Sequence, residues 1–202
     1  ENPDLTWHID NVTHSWLVFE KECPSLAKEF AALVRDGRIS VLNGGYSLAR
    51  PSIVGEESYI RNLMLGRRYF QDTFGLNDIP SLFNADTACG HSQLPQIARL
   101  SGHRYYRFQR PDAMLTRRGV PFEFIWRGLD GSEVLVARGS YCNLYDRNDF
   151  LDGDYETEWE QIKKAFCDIW LSDKVSEQFD MEDLILFLSV DDGRPLRDIN
   201  DK

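Results

Sequence analysis

"PSLFNADTACGHSQLPQIARLSG", residues 80–102, decides how the rest of the chain is read. Residues 80–86 form a short apolar strand that ends on an acid, Asp86. Small residues, a histidine and a Gln-Leu-Pro follow at once, and the pattern over residues 92–102 predicts a helix. A carboxylate at the carboxyl end of such a strand, in a loop of small residues, is placed to reach a ligand above a sheet. Asp is also a preferred helix cap, so a capping role stands beside the functional one. Asp86 lies about six residues ahead of the helical pattern, however, and Ser92 is better placed to cap it.

The same alternation extends in both directions. Residues 5–12 and 38–46 read as strands, the second ending in a glycine turn. Residues 24–37 read as a helix that opens on Pro24 and closes on Gly37, with Leu26, Phe30 and Leu33 on one face. Residues 56–75 give the clearest helical stripe: Ile60, Leu63, Met64, Arg67, Phe70 and Phe74. Residues 104–110 read as a strand, and residues 121–139 as a hairpin turning at Asp130-Gly131. Residues 155–175 predict a long helix, and residues 183–193 a buried strand that ends in two acids. Strands alternating with helices at this spacing predict an α/β fold with a parallel sheet and crossover helices. The pattern does not separate a doubly wound sheet from a barrel.

The 202 residues are 42% hydrophobic, enough for a single domain with a core over residues 1–202. A net charge of −10 argues against nucleic acid as a partner, which needs a basic stripe. The four cysteines, at 23, 89, 142 and 167, show no C-x-x-C pair, so a zinc ribbon or disulfide scaffold is not expected. No apolar run approaches the roughly 18 residues of a membrane span, and no signal pattern opens the chain. A cytoplasmic location is therefore expected. The chain opens without Met and reads as a piece of something longer.

Several groups are candidates for chemistry. Asp191 and Asp192 follow a buried strand, and adjacent like charges cost stability unless paired or metal-bound; a solvated turn is the plainer reading. His8 and Asp10, two apart on a strand, would share one face, as a metal pair requires. His91 stands near Asp86 as a ligand or donor, while His14 reads as a helix start and His103 as a surface turn. Arg104, Arg107 and Arg110 punctuate an apolar strand, and one of them is expected to pair with a carboxylate above the sheet.

Taken together, five stretches resemble glycoside hydrolase family 38, the retaining, zinc-dependent α-mannosidases. They are "NPDL" (2–5), "LVRDGRISVLNGGY" (33–46), "SYIRNLMLGRRYFQDTFG" (58–75), "NADTACGHSQLPQIARLSG" (84–102) and "PFEFIWRGLDGSEVLV" (121–136). They fall in the family's order and cover nearly the whole chain. The resemblance implies most of a catalytic (β/α)7 barrel lacking its first strand, and retaining hydrolysis of α-mannosidic bonds in glycans or oligosaccharides. Asp86, with Gln93 and Pro95 at the family's spacing, is implied as the nucleophile and a zinc ligand. The general acid is implied shortly after residue 139, with Asp146 the nearest carboxyl and Asn143 the other position that aligns. Arg110, His91, Asp191 and Asp192 are implied as substrate-binding or wall residues.

On this reading the remaining zinc ligands lie outside the chain. His8 and Asp10 are set aside as ligands, because the residues after them match the family's second strand region. One carboxylate does not hold Zn²⁺, which wants about four donors, so this piece alone is expected to be inactive. The expected partner is a carbohydrate substrate, with homo-oligomers forming through domains outside the chain, and no nucleic acid or membrane. Two other readings stand beside this one: a carbohydrate-binding homologue that has lost its chemistry, suggested by the unusual "TACG" segment, and a metal-dependent polysaccharide deacetylase, which would use His8 and Asp10.

Overall fold

A computed structural model of the chain describes residues 6–10, 13–84, 86 and 90–139. The elements expected at residues 155–175 and 183–193, and with them Asp146, Asp191 and Asp192, lie outside the described residues. The chain divides into two compact units, residues 1–113 with 122–139, and residues 114–121 with 140–202.

The described elements run β1 (Trp7–Asp10), α1 (Thr13–Glu22), α2 (Pro24–Arg35), β2 (Ile39–Leu42), α3 (Glu56–Phe74), β3 (Ser81–Asn84), α4 (Leu94–Leu100), β4 (Tyr105–Phe108), α5 (Asp112–Arg117), β5 (Glu123–Arg127) and β6 (Glu133–Arg138). β1 and β2 pair in parallel, and β3, β4, β6 and β5 form a second sheet in that order. The β3–β4 and β4–β6 pairs are parallel, and β5–β6 is the expected antiparallel hairpin. Strands and crossover helices thus alternate as the pattern requires.

Of α1 only its start, at His14, is expected from the sequence, and α2 buries a different face from the one expected. α2 turns Ala27 and Val34 inward, with Phe30 and Ala31 packed beside them, while Leu26 and Leu33 are exposed. The reason is nonlocal. α1 lies against α2 and brings Trp16 and Phe19 onto Phe30, so the buried stripe rotates toward that aromatic cluster. Trp16 also meets Phe74 of α3 edge-on at 4.8 Å, which closes the core over Ile39 and Val41 of β2. Each fully buried side chain of this kind contributes about 1.5–3 kcal/mol.

α3 shows why a glycine sits in a helix interior. A Cβ at Gly66 would lie 2.2 Å from the backbone of Gly45 and Tyr46, so only glycine lets the loop after β2 lie on the helix. Asn62, one turn earlier, clamps the same loop: its carbonyl accepts from the Tyr46 N–H, and its side chain brackets the Ser47 backbone at 2.8 and 2.9 Å. The loop after β2 is therefore built on α3.

One face of the larger sheet is sealed. Leu82, Asn84, Tyr106, Phe108, Val134, Val136 and Arg138 alternate inward along three strands and are all buried. Leu94, Ile97 and Ala98 of α4 are buried as well, and α4 packs on β6.

Candidate active site

The carboxyl ends of the parallel strands carry the polar groups. β2 ends on Asn43, whose φ of 67° is a left-handed conformation that asparagine tolerates. Its backbone N–H donates to the Ser81 carbonyl at 2.7 Å and links β2 to β3. Its side-chain amide donates to the Phe83 carbonyl at 2.7 Å and to Asp10 of β1 at 3.2 Å. One asparagine thus ties together the ends of three strands.

β3 ends on Asn84, which is fully buried and accepts from the Tyr106 hydroxyl at 3.0 Å. The buried Tyr59 of α3 faces the same group, and burial, opposed by Asn84, pushes its phenol pKa up. Asp86 follows two residues later. It emerges into solvent, and the Arg110 guanidinium, on the turn after β4, donates to its Oδ1 at 3.1 Å. Both side chains are 60% exposed, so the pair is accessible from outside. The expected Arg–carboxylate pair is thus formed by Arg110. Arg104 instead pairs with Asp78 at the other end of the strand. Arg107 is largely buried, which lowers its pKa to about 10 against the pull of Asp112 and Glu123.

His91 lies in the same loop and is held from both sides. Its Nδ1 accepts from the Gln93 N–H at 3.2 Å, so Nε2 carries the proton that faces Glu56 of α3, also at 3.2 Å. Its own N–H and then the His91 contact hold Glu56 below the usual carboxylate range. His91 therefore fastens the loop of Asp86 to the start of α3. The helix after it starts at Leu94 behind Gln93, with no side-chain cap, so neither Asp86 nor Ser92 caps it.

His8 and Asp10 do share a face of β1, opposite Ile9, which packs into the core. No cluster of three or more His, Cys, Asp or Glu able to hold a metal occurs among the described residues. Asp86 supplies one donor, and its Oδ1 already accepts from Arg110, so the described residues do not by themselves fit a zinc ion. His14 sits at the start of α1 as expected, but His103 is not a surface residue. It is completely buried and hydrogen-bonded through Nε2 to the Asn43 carbonyl at 2.9 Å, because the turn after α4 folds inward against β2 and β3.

Asn43, Glu56, Asp112 and Arg138 escape a reading of the sequence. Arg138 did leave a signal: it falls on the inward parity of Val134 and Val136, where a charge demands a buried partner.

Residues 1–192 match the family model described as "Glycosyl hydrolases family 38 N-terminal domain". Alpha-mannosidase G of Dictyostelium discoideum is 30% identical over 113 residues, which cover 56% of this chain and 10% of that protein. Lysosomal alpha-mannosidase of Mus musculus is 28% identical over 109 residues, covering 52% of this chain and 11% of that one. The chain thus matches about a tenth of the length of these curated relatives. The crystal structure of an alpha-mannosidase from Enterococcus faecalis V583 superposes with a TM-score of 0.76 at 19% identity, over 98% of this chain and 22% of that one, and so shares the fold. No described helix is long and apolar enough to cross a membrane.

Proposed function

Because the chain belongs to glycosyl hydrolase family 38, we propose that it supplies the nucleophile-bearing part of a retaining α-mannosidase. The observation that carries this reading is the exposed Asp86 at the carboxyl end of β3, paired with Arg110. The relatives named above as alpha-mannosidases support mannosidic bonds as the substrate class. The two sheets, β1–β2 and β3–β4–β6–β5, are read as parts of a (β/α)7 barrel, in which chemistry gathers at this end of the strands.

In the proposed reaction an Asp86 oxygen attacks the anomeric carbon as the glycosidic C–O bond breaks. The leaving oxygen takes a proton from a second carboxyl, for which Asp146 is the candidate. Water then attacks the glycosyl-enzyme, gives its proton back to that carboxylate, and releases the sugar with retained configuration. Arg110 orients the Asp86 carboxylate before attack. A retaining pair requires its carboxyls about 5–5.5 Å apart. His91 keeps the Asp86 loop fixed and is read as bordering the substrate, with Asp191 and Asp192 as further wall residues. Family membership implies a zinc ion that would bind sugar hydroxyls, with Asp86 as one of its ligands. A cytoplasmic location and a homo-oligomeric state complete the proposal.

Trapping tests it. The full-length protein, supplied with zinc, is treated with an activated fluorosugar of the mannose series that forms a glycosyl-enzyme quickly and hydrolyses slowly. Peptide mass spectrometry should place the adduct on Asp86. An adduct on another residue, or turnover that releases the inverted sugar, would remove Asp86 from the nucleophile's role.

A further inference from the structure

The geometry points to Asp112 and Arg138 as positioning residues that set Arg110 against Asp86, an inference that rests on the reading of Asp86 and Arg110 above. Arg138 closes β6, is buried at 2% exposure, and lies in register beside Phe108 of β4. Its guanidinium stacks over the Phe122 ring at 4.2 Å and forms an ion pair with Asp112 at the start of α5. A guanidinium packed between strands has little freedom, so it fixes whatever it holds.

What it holds is the far end of a four-residue turn. The Asp112 N–H donates to the Gln109 carbonyl at 2.8 Å and closes residues 109–112, with Arg110 and Pro111 between. The near end is fixed independently: the Gln109 N–H donates to the Asn84 carbonyl at 3.2 Å, and the Gly139 N–H to the Phe108 carbonyl at 3.1 Å. Arg110 is thus displayed from a turn tied to β3 at one end and to β6, through Arg138, at the other. Asp112 also attracts the largely buried Arg107, so one carboxylate balances two arginines drawn out of water.

A purely structural ion pair would account for the burial of Arg138 without any bearing on Arg110. The two roles separate in a pair of variants. Asp112→Asn removes the charge, and Asp112→Glu keeps it but lengthens the arm, so at least one variant is expected to fold. Crystal structures of the full-length protein and the variants give the position of Arg110. Steady-state kinetics on an aryl α-mannoside, with zinc present, give its consequence.

The expected result is that Arg110 moves beyond about 3.5 Å from Asp86 while the strands superpose. With this, kcat falls by up to about 10-fold, no more than for Arg110→Gln itself, at a KM changed less than about twofold. The Arg110→Gln/Asp112→Glu double variant should be no slower than Arg110→Gln alone, because both changes remove the same contact. Arg110 still on Asp86 in the variants, or losses that multiply in the double variant, would overturn the positioning role. A wild-type protein without turnover would instead refute the glycosidase reading, and the crystallographic position of Arg110 would still decide the role of Asp112.

Discussion

Two aspartates flank β3, and each meets an arginine of the β4 segment, yet the two pairs differ in kind. At the amino end, Asp78 accepts from Arg67 at 2.5 Å and from Arg104 at 2.6 Å. Arg67 is only 15% exposed and also donates to the Ile79 carbonyl. Burial would raise the Asp78 pKa, but the two arginines outweigh it and hold the carboxyl below its usual range. At the carboxyl end, Asp86 has Arg110 at 3.1 Å, and both are 60% exposed. The first arrangement ties elements together with its charge satisfied from two sides; the second leaves a carboxylate within reach of a ligand. Parallel α/β folds divide labour this way because the loops that follow the strands all open at one end.

The contrast can be broken most sharply at Asp86. Asp86→Asn should lower kcat on an aryl α-mannoside by at least about 10³-fold, as loss of a nucleophile does. The unfolding midpoint should barely move, since exposed pairs contribute about 0–1 kcal/mol. Unchanged turnover would end the assignment of the two ends to different tasks.

The amino end should respond to pH through His103, which lies beside Arg67 and Asp78. Burial lowers its pKa from 6.5 to about 4, against the hydrogen bond to Asn43. Below 6.5 the unfolded chain takes up a proton that the folded one refuses. Stability is therefore whole above that pH and is lost as pH falls toward 4, by about 3 kcal/mol in total. Asp78 acts in the same sense at lower pH, because its depressed carboxyl loses its advantage as it protonates. Urea unfolding at several pH values should show a flatter profile for His103→Gln, and an identical slope would mean that His103 charges freely in the folded state.

Asp78→Ala should follow in size, at about 2 kcal/mol. Breaking a fully buried pair costs about 3–5 kcal/mol, and the partial exposure of Asp78 reduces this. Turnover by the folded variant should stay near wild type, and a kcat loss at constant stability would show that the amino end reaches the chemistry. The smallest effect is expected for Arg110→Gln, about 10-fold in kcat, with stability unchanged on thermal unfolding. A stability loss matching that of Asp78→Ala would make the two ends alike.

Much of this organisation is written locally. Period-3.6 stripes, Pro24 and the Asp130-Gly131 turn are short-range signals, so α2, α3 and the β5–β6 hairpin stand out in the sequence. Asp86 stands out too, because a strand that runs directly into an acid and small residues is a local pattern. α1 does not, and neither does the rotation of α2, since both depend on Trp16 and Phe19 meeting Phe30 across the helix pair.

The sequence by itself determined the alternation of strands and helices, the family, and which carboxylate follows β3. Only the tertiary structure decided which arginine serves which acid, that His103 is buried, and that Asn43, Asp112 and Arg138 hold the strand ends together. The physical reason is range. Backbone periodicity acts over a few residues, whereas partners such as Asp86 and Arg110, 24 apart, or Asp112 and Arg138, 26 apart, meet only once parallel strands have been set side by side.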